Sequence, residues 1–229
     1  MIIEQQASQK KAASIAAFSL LMMAMLGPFA YLFVFQSLIV FDEATETAVN
    51  VLGSEGVFRS AIASLIVVVI LDVIVAWSLY TVFKPVHDTL SLLAASFRVV
   101  YAGMFGVAVH QLYNALRILT DDEFLIGWEE AERSAQAMLY FNAFNNGWNT
   151  ALIIFGLHLL VLGYMMIKSI YFPKLLGILI LIAALGYIID SFGLILFETY
   201  SFELSMYTFI GELLLIIWLF IRGRKGFPS

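Results

Sequence analysis

The stretch FGLHLLVLGYMMIKS, Phe155 to Ser169, is apolar enough to lie in lipid and yet carries His158 ten residues before it reaches Lys168. A membrane-spanning helix needs about 20 mostly apolar residues at a rise of 1.5 Å each, across a hydrocarbon core about 30 Å thick. With Lys168 marking one edge of that core, His158 falls about 15 Å inside it, at the midplane. An ionisable group at that depth costs from about 2.5 kcal/mol upward unless it turns inward and finds a partner. The stretch therefore reads as half of a spanning helix with a buried polar group, which sets two questions: how many such helices there are, and what the histidine meets.

Working outward, the remainder of the chain has the same character. Of 229 residues 62% are hydrophobic and only 13% charged, too few to coat a soluble domain. Six apolar runs are bounded by polar or turn-forming residues: Ile15 to Val40, Val57 to Phe83, Leu90 to Leu119, Trp148 to Ile167, Leu175 to Phe197 and Leu204 to Ile221. They predict an all-α, polytopic integral membrane protein, residues 1–229 forming a single domain of six transmembrane helices in one bundle. The first run is too long for a signal-peptide core and reads as a retained helix, with a kink at Gly27 and Pro28 where the ring removes a backbone donor.

Orientation follows from the basic residues, which short loops keep on the cytoplasmic side. Lys10, Lys11, Lys84, Lys168, Lys174, Arg222, Arg224 and Lys225 all fall at one end of the runs. The other end is acidic: Asp42, Glu43, Glu46 and Glu55, then Asp121 to Glu123 and Glu129 to Glu132, then Glu198 and Glu203, with Arg59, Arg117 and Arg133 as exceptions. Both termini are thus expected in the cytoplasm and the chain in a bacterial inner membrane. The long acidic-side connection TDDEFLIGWEEAERSAQAMLYFNAFNNGW is expected to start a helix at Thr120 and its three acids and to feed the fourth span continuously. Asn142, Asn145, Asn146 and Asn149 then lie near the acidic-side mouth, and Trp148 and Trp218 take interfacial positions.

The same ruler places Asp72 about 18 Å, Arg98 about 15 Å and Glu212 about 15 Å from the basic edge, so that four helices put an ionisable group at one level. A short turn at KPVHD makes the second and third spans antiparallel neighbours, which pairs Asp72 with Arg98; His158 and Glu212 complete the layer. Such a layer is either a register-fixing ion pair or part of a proton- or ion-coupled solute path, since a carboxylate beside a histidine changes protonation near neutral pH. Tyr187, Asp190 and Ser191 share one face of the fifth span, Asp190 about 24 Å from Lys174. They form an upper extension of the path, or Asp190 bonds locally to Tyr187, Arg59 or His110.

Other chemistry is thin. With no cysteine and three scattered histidines, no metal site, catalytic residue or cofactor is expected; Met22, Met23 and Met25 share no face and read as packing residues, and His110 and His158 lie at different depths, against a bis-histidine haem. A net charge of −5 without a basic tract argues against nucleic acid. Gly156, Gly163 and Gly186 with Ala183 supply small faces for close helix contact. The expected partners are the lipid bilayer and a small solute, ion or lipophilic ligand; a homo-oligomer is left open.

The segments VFRS, LDVIVAWSLYTVFKPV, LAASFRVVYAG, FGLHLLVLGYMMIKS and PKLLGILILIAALGYIIDSFG, in that order, resemble the bacterial membrane family catalogued as domain of unknown function 4386. The resemblance runs through the second to fifth spans, takes in the first by pattern, and hardly touches Asp121 to Arg133 or the sixth. It implies a six-helix membrane protein and no particular activity. SLYTVFK and LGYMMIK also echo one another, aligning Tyr80 with Tyr164 and Lys84 with Lys168, as parallel repeats in transporters do. The first expectation is thus a small-solute or ion transporter; the alternatives are a membrane-embedded enzyme or sensor of a lipophilic molecule, with His158 and Asp190 as polar anchors, and a structural partner subunit.

Overall fold

The computed structural model describes residues 2–121 and 127–227. In chain order the elements are α1 (Ile2–Pro28), a π-helical segment (Phe29–Phe35), α2 (Gln36–Leu38), α3 (Ala44–Gly53), α4 (Glu55–Phe83), α5 (Asp88–Thr120), α6 (Glu130–Lys168), α7 (Lys174–Leu196), α8 (Leu204–Thr208) and α9 (Ile210–Lys225). Among these residues six stretches are long and apolar enough to cross a membrane: Gln6–Leu38, Glu55–Phe83, Asp88–Thr120, Glu130–Lys168, Lys174–Leu196 and Leu204–Lys225. The chain is therefore all-α and polytopic, as its apolar runs require, because in hydrocarbon a helix alone satisfies its own backbone.

Several element boundaries differ from the sequence reading, each for a local reason. The chain does not kink simply at Pro28; it passes into a π-helical segment, Phe29–Phe35, immediately after the residue that lacks an N–H. The first acidic connection holds an extra helix, α3, tied back by the Thr47 hydroxyl, which accepts from Val40 N–H at 2.8 Å and donates to the Val40 carbonyl at 2.9 Å. Thr120 ends a helix rather than starting one: its hydroxyl donates to the Leu116 carbonyl one turn back, and Asp121 pairs with Arg117 at 2.8 Å. Asp122 and Glu123, the other acids expected there, lie outside the described residues. The next helix starts at Glu130, where Glu132 reaches back to accept the Glu129 N–H at 3.1 Å, half of a capping box, and it then runs unbroken to Lys168. The last span is interrupted at Phe209, between α8 and α9.

The chain gathers into two compact units, 1–22 with 70–102 and 149–229, and 23–69 with 103–148. The second unit is built on aromatic contacts. Trp148 is not a free interfacial ring: it meets the edge of Tyr31 at 5.0 Å and packs on Phe105 and Phe144, while Phe35 and Phe58 continue the cluster to Phe141. In the first unit burial follows helical spacing. On α4 Asp72, Val75, Ala76, Leu79 and Phe83 are buried while Ile70, Val73, Ile74 and Trp77 are exposed, so the inward stripe is the one that carries the carboxylate.

Helices α6 and α7 approach closely through their glycines. A methyl on Gly163 would sit 2.9 Å from the Gly177 carbonyl oxygen, and one on Gly156 3.0 Å from that of Ala184 and 2.5 Å from Ile188. Gly163→Leu is therefore expected to cost about 1–3 kcal/mol by overpacking. Gly103→Ala, where the added carbon meets nothing within 4 Å, is expected to be neutral or to stabilise by up to about 1 kcal/mol through helix propensity. Unfolding of the two variants in the same detergent checks the contrast.

Candidate functional site

All six candidate residues belong to the first unit. Asp72, on the inward stripe of α4, and Arg98, on the stripe of α5 that includes Ser91, Ala94, Tyr101 and Ala102, are both sealed from solvent at 0% and 3% exposure. Arg98 Nη2 lies 2.7 Å from Asp72 Oδ1. At that distance the two groups are in close contact, while Asp72 Oδ2 and Arg98 Nε lack a hydrogen-bond partner among the described residues. A buried ion pair normally recovers its desolvation cost by filling such positions.

His158, fully buried on α6, meets the guanidinium and not a carboxylate. Its Nδ1 is 2.8 Å from the Ala94 carbonyl oxygen and its Nε2 is 3.3 Å from Arg98 Nη1. A carbonyl only accepts, which puts the ring proton on Nδ1 and leaves Nε2 as a lone-pair acceptor for the arginine. The expected carboxylate–histidine pair is thus absent; the ring instead clasps two successive turns of α5, Ala94 and Arg98. The question raised by FGLHLL has a local answer: the histidine is an acceptor that holds a buried arginine.

Glu212 stands apart from this cluster. It lies in the first turn of α9 and accepts the Tyr187 hydroxyl at 2.9 Å. The two groups are joined through Phe155, whose ring packs on Tyr187 at 5.3 Å, Tyr101 at 4.8 Å and His158 at 5.9 Å, and under the Arg98 guanidinium at 5.4 Å. Phe155 opens the stretch that first drew attention, yet nothing in its sequence position distinguishes it from other apolar residues.

Asp190 does not join that layer, and the local bond to Tyr187 does not form, because its carboxylate is taken up by the chain that follows its own helix. Its Oδ1 accepts from the Tyr200 hydroxyl at 2.7 Å and the Leu204 N–H at 3.1 Å, and Oδ2 accepts from the Ser205 N–H at 2.7 Å. It caps the N-terminus of α8 from a neighbouring helix, satisfying donors that have no partner within the helix. Tyr187 turns to Glu212 instead, and Arg59 pairs with Glu55 at 2.6 Å. Tyr200 lies against Gly193, where a side chain would strike its ring.

The family described as Domain of unknown function (DUF4386) matches residues 15–223, including the first and last spans. An uncharacterized protein of the archaeon Archaeoglobus fulgidus is 38% identical over 165 residues, which cover 72% of this chain and 85% of that relative. No solved structure matches.

Two measurements test the geometry. Arg98→Gln leaves the Asp72 charge buried and unpaired and is expected to lower stability by about 3–5 kcal/mol, with much of the loss recovered by adding Asp72→Asn; a double-mutant cycle of unfolding in detergent reads the coupling. The Tyr200 phenol is pushed up to about 12, first by its hydrogen bond to Asp190, then by burial and the carboxylate charge. Because the folded value is the raised one, the contact is fully present below the ordinary phenol value near 10 and is lost as pH rises through about 12. Ultraviolet titration against Tyr200→Phe should show that tyrosine ionising last, and Asp190→Asn should return it toward 10.

Proposed function

The chain belongs to the DUF4386 family, and from that premise we propose that it is a small-solute transporter of a prokaryotic cell membrane, with both termini in the cytoplasm. The observation that carries the proposal is the Asp72–Arg98 pair: sealed on the inward faces of spanning helices, with Asp72 Oδ2 and Arg98 Nε lacking a hydrogen-bond partner among the described residues. A pair kept only to fix register is cheapest with every such position filled. An acceptor and a donor left over on the pair suit a passenger that brings its own donor and acceptor, and an intramembrane ionisable group is by default a candidate path residue. His158 holds Arg98 in place, and Phe155 closes the apolar side of the cluster. Cytoplasmic termini rest on the eight basic residues at one end of the spans.

The test is reconstitution in liposomes, with small organic anions, organic cations, amino acids and sugars offered in turn and saturable flux recorded by tracer uptake or charge movement. One class should be carried, and Asp72→Asn should cut its flux about tenfold or more, equivalent to about 1.4 kcal/mol on the barrier, while the helical spectrum is retained. Saturable binding of a lipophilic molecule without flux would overturn transport in favour of a ligand-binding role. If Asp72→Asn and His158→Ala lower only the melting temperature, the cluster is structural.

A further inference from the structure

We infer that Glu212, held by Tyr187, is a proton-binding site distinct from the Asp72–Arg98 pair, its carboxyl taking one proton from water on Oε2 and returning it. The inference deepens the transport proposal, on which it rests for what the proton is used to drive, by naming the coupling ion.

It starts from the charges that face Glu212. From α7 comes the Tyr187 hydroxyl, already donated to Oε1 at 2.9 Å. Arg98 on α5 and Asp72 on α4 lie within electrostatic reach. Tyr101 on α5 and His158 on α6 meet the opposite side of Phe155, the ring against Tyr187. His158 is neutral in the tautomer its contacts require. One guanidinium therefore faces two carboxyls, and it is spent on Asp72 at 2.7 Å. Among the described residues the second carboxyl has no cation in ion-pair contact, at a depth where an unpaired charge costs from about 2.5 kcal/mol upward.

Two occupants could neutralise it, a metal cation or a proton. A hard metal cation needs about six oxygen ligands in place of its water. Here a single carboxyl and a phenol converge, and among the described residues no three His, Cys, Asp or Glu side chains gather in a way that could hold a metal ion. A proton needs one oxygen, and Tyr187 leaves Oε2 for it.

Access differs between the two carboxyls in the same sense. Asp72 is fully sealed, whereas Glu212 is only partly buried and sits three residues after the interruption at Phe209. That interruption lies thirteen residues from Arg222, or about 20 Å from the basic edge, within the hydrocarbon and toward the acidic side.

Infrared difference spectroscopy of the full-length protein in lipid membranes, titrated between acid and base, tests the site with the proton itself as probe. One titrating carboxylic-acid C=O band is expected to vanish in Glu212→Gln, to persist in Asp72→Asn, and to shift in Tyr187→Phe, which loses only the hydrogen bond. Replacing choline chloride by sodium chloride should leave its midpoint unchanged. A band indifferent to both Glu212→Gln and Tyr187→Phe overturns the inference, as does a midpoint that moves with sodium, which would assign the site to a metal cation. A band that behaves as expected in a protein that moves no solute upholds the proton site and sinks the transport proposal alone.

Discussion

Arg98 is the residue on which the centre of the first unit depends, because a guanidinium does not lose its proton and so cannot escape burial by becoming neutral. It must be met. Asp72 from α4 supplies the charge, His158 from α6 supplies a lone pair, and Phe155 supplies a ring face beneath the planar cation. Helices α4 and α6 are thereby fixed against one side chain of α5. The histidine is oriented by the very helix it serves: its other nitrogen is anchored on Ala94, one turn before Arg98, so helix, cation and acceptor share one register. Replacing Arg98 by lysine would keep the charge but lose the fork that reaches Asp72 through one nitrogen and His158 through another.

That arrangement is extended to α7 and α9 by packing alone. Gly156 and Gly163 let α6 lie against α7 at backbone distance, and Gly211 brings α9 to within 2.9 Å of the Leu179 carbonyl, measured from where its side chain would start. Only with those separations does Tyr187 stand over Phe155 and reach Glu212. The basic edge is held by simpler means. Lys84 and Lys168 lie 5.4 and 5.7 Å from the rings of Tyr80 and Tyr164, one turn earlier on their own helices, so the echo between SLYTVFK and LGYMMIK has a shared physical content.

The spans and the Asp72–Arg98 contact were legible in the sequence because both follow from a large, one-signed cost: charges avoid hydrocarbon, so apolar runs end where charges begin and the exceptions seek one another. The ruler drawn from Lys168, Lys84 and Arg222 put Asp72, Arg98 and His158 at one level, and these do meet, whereas Glu212 of the same level turns to Tyr187. What could not be read are the contacts made to backbone. Asp190 has its partners in the N–H groups of Leu204 and Ser205, and His158 in the Ala94 carbonyl, and every residue carries such groups, so no residue type signals them. The helix start at Glu130 was missed although Glu132 signals it, since the acids after Thr120 offered a competing start nearer the apolar run's end. The interruption at Phe209 has no proline to mark it.

Three carboxyls within or beside the spans are therefore sorted by what they accept. Asp190 receives two backbone N–H groups and a phenol, and a carboxylate so supplied is held to one task, closing the end of α8. Asp72 has a cation at 2.7 Å on one oxygen and no hydrogen-bond partner for Oδ2 among the described residues. Glu212 has one neutral donor and no cation of its own. A group tied by fixed donors cannot change state without unmaking structure, whereas a group short of partners changes state at little structural cost. By that criterion the capacity for change rises from Asp190 through Asp72 to Glu212, whose one tie is to a neutral donor.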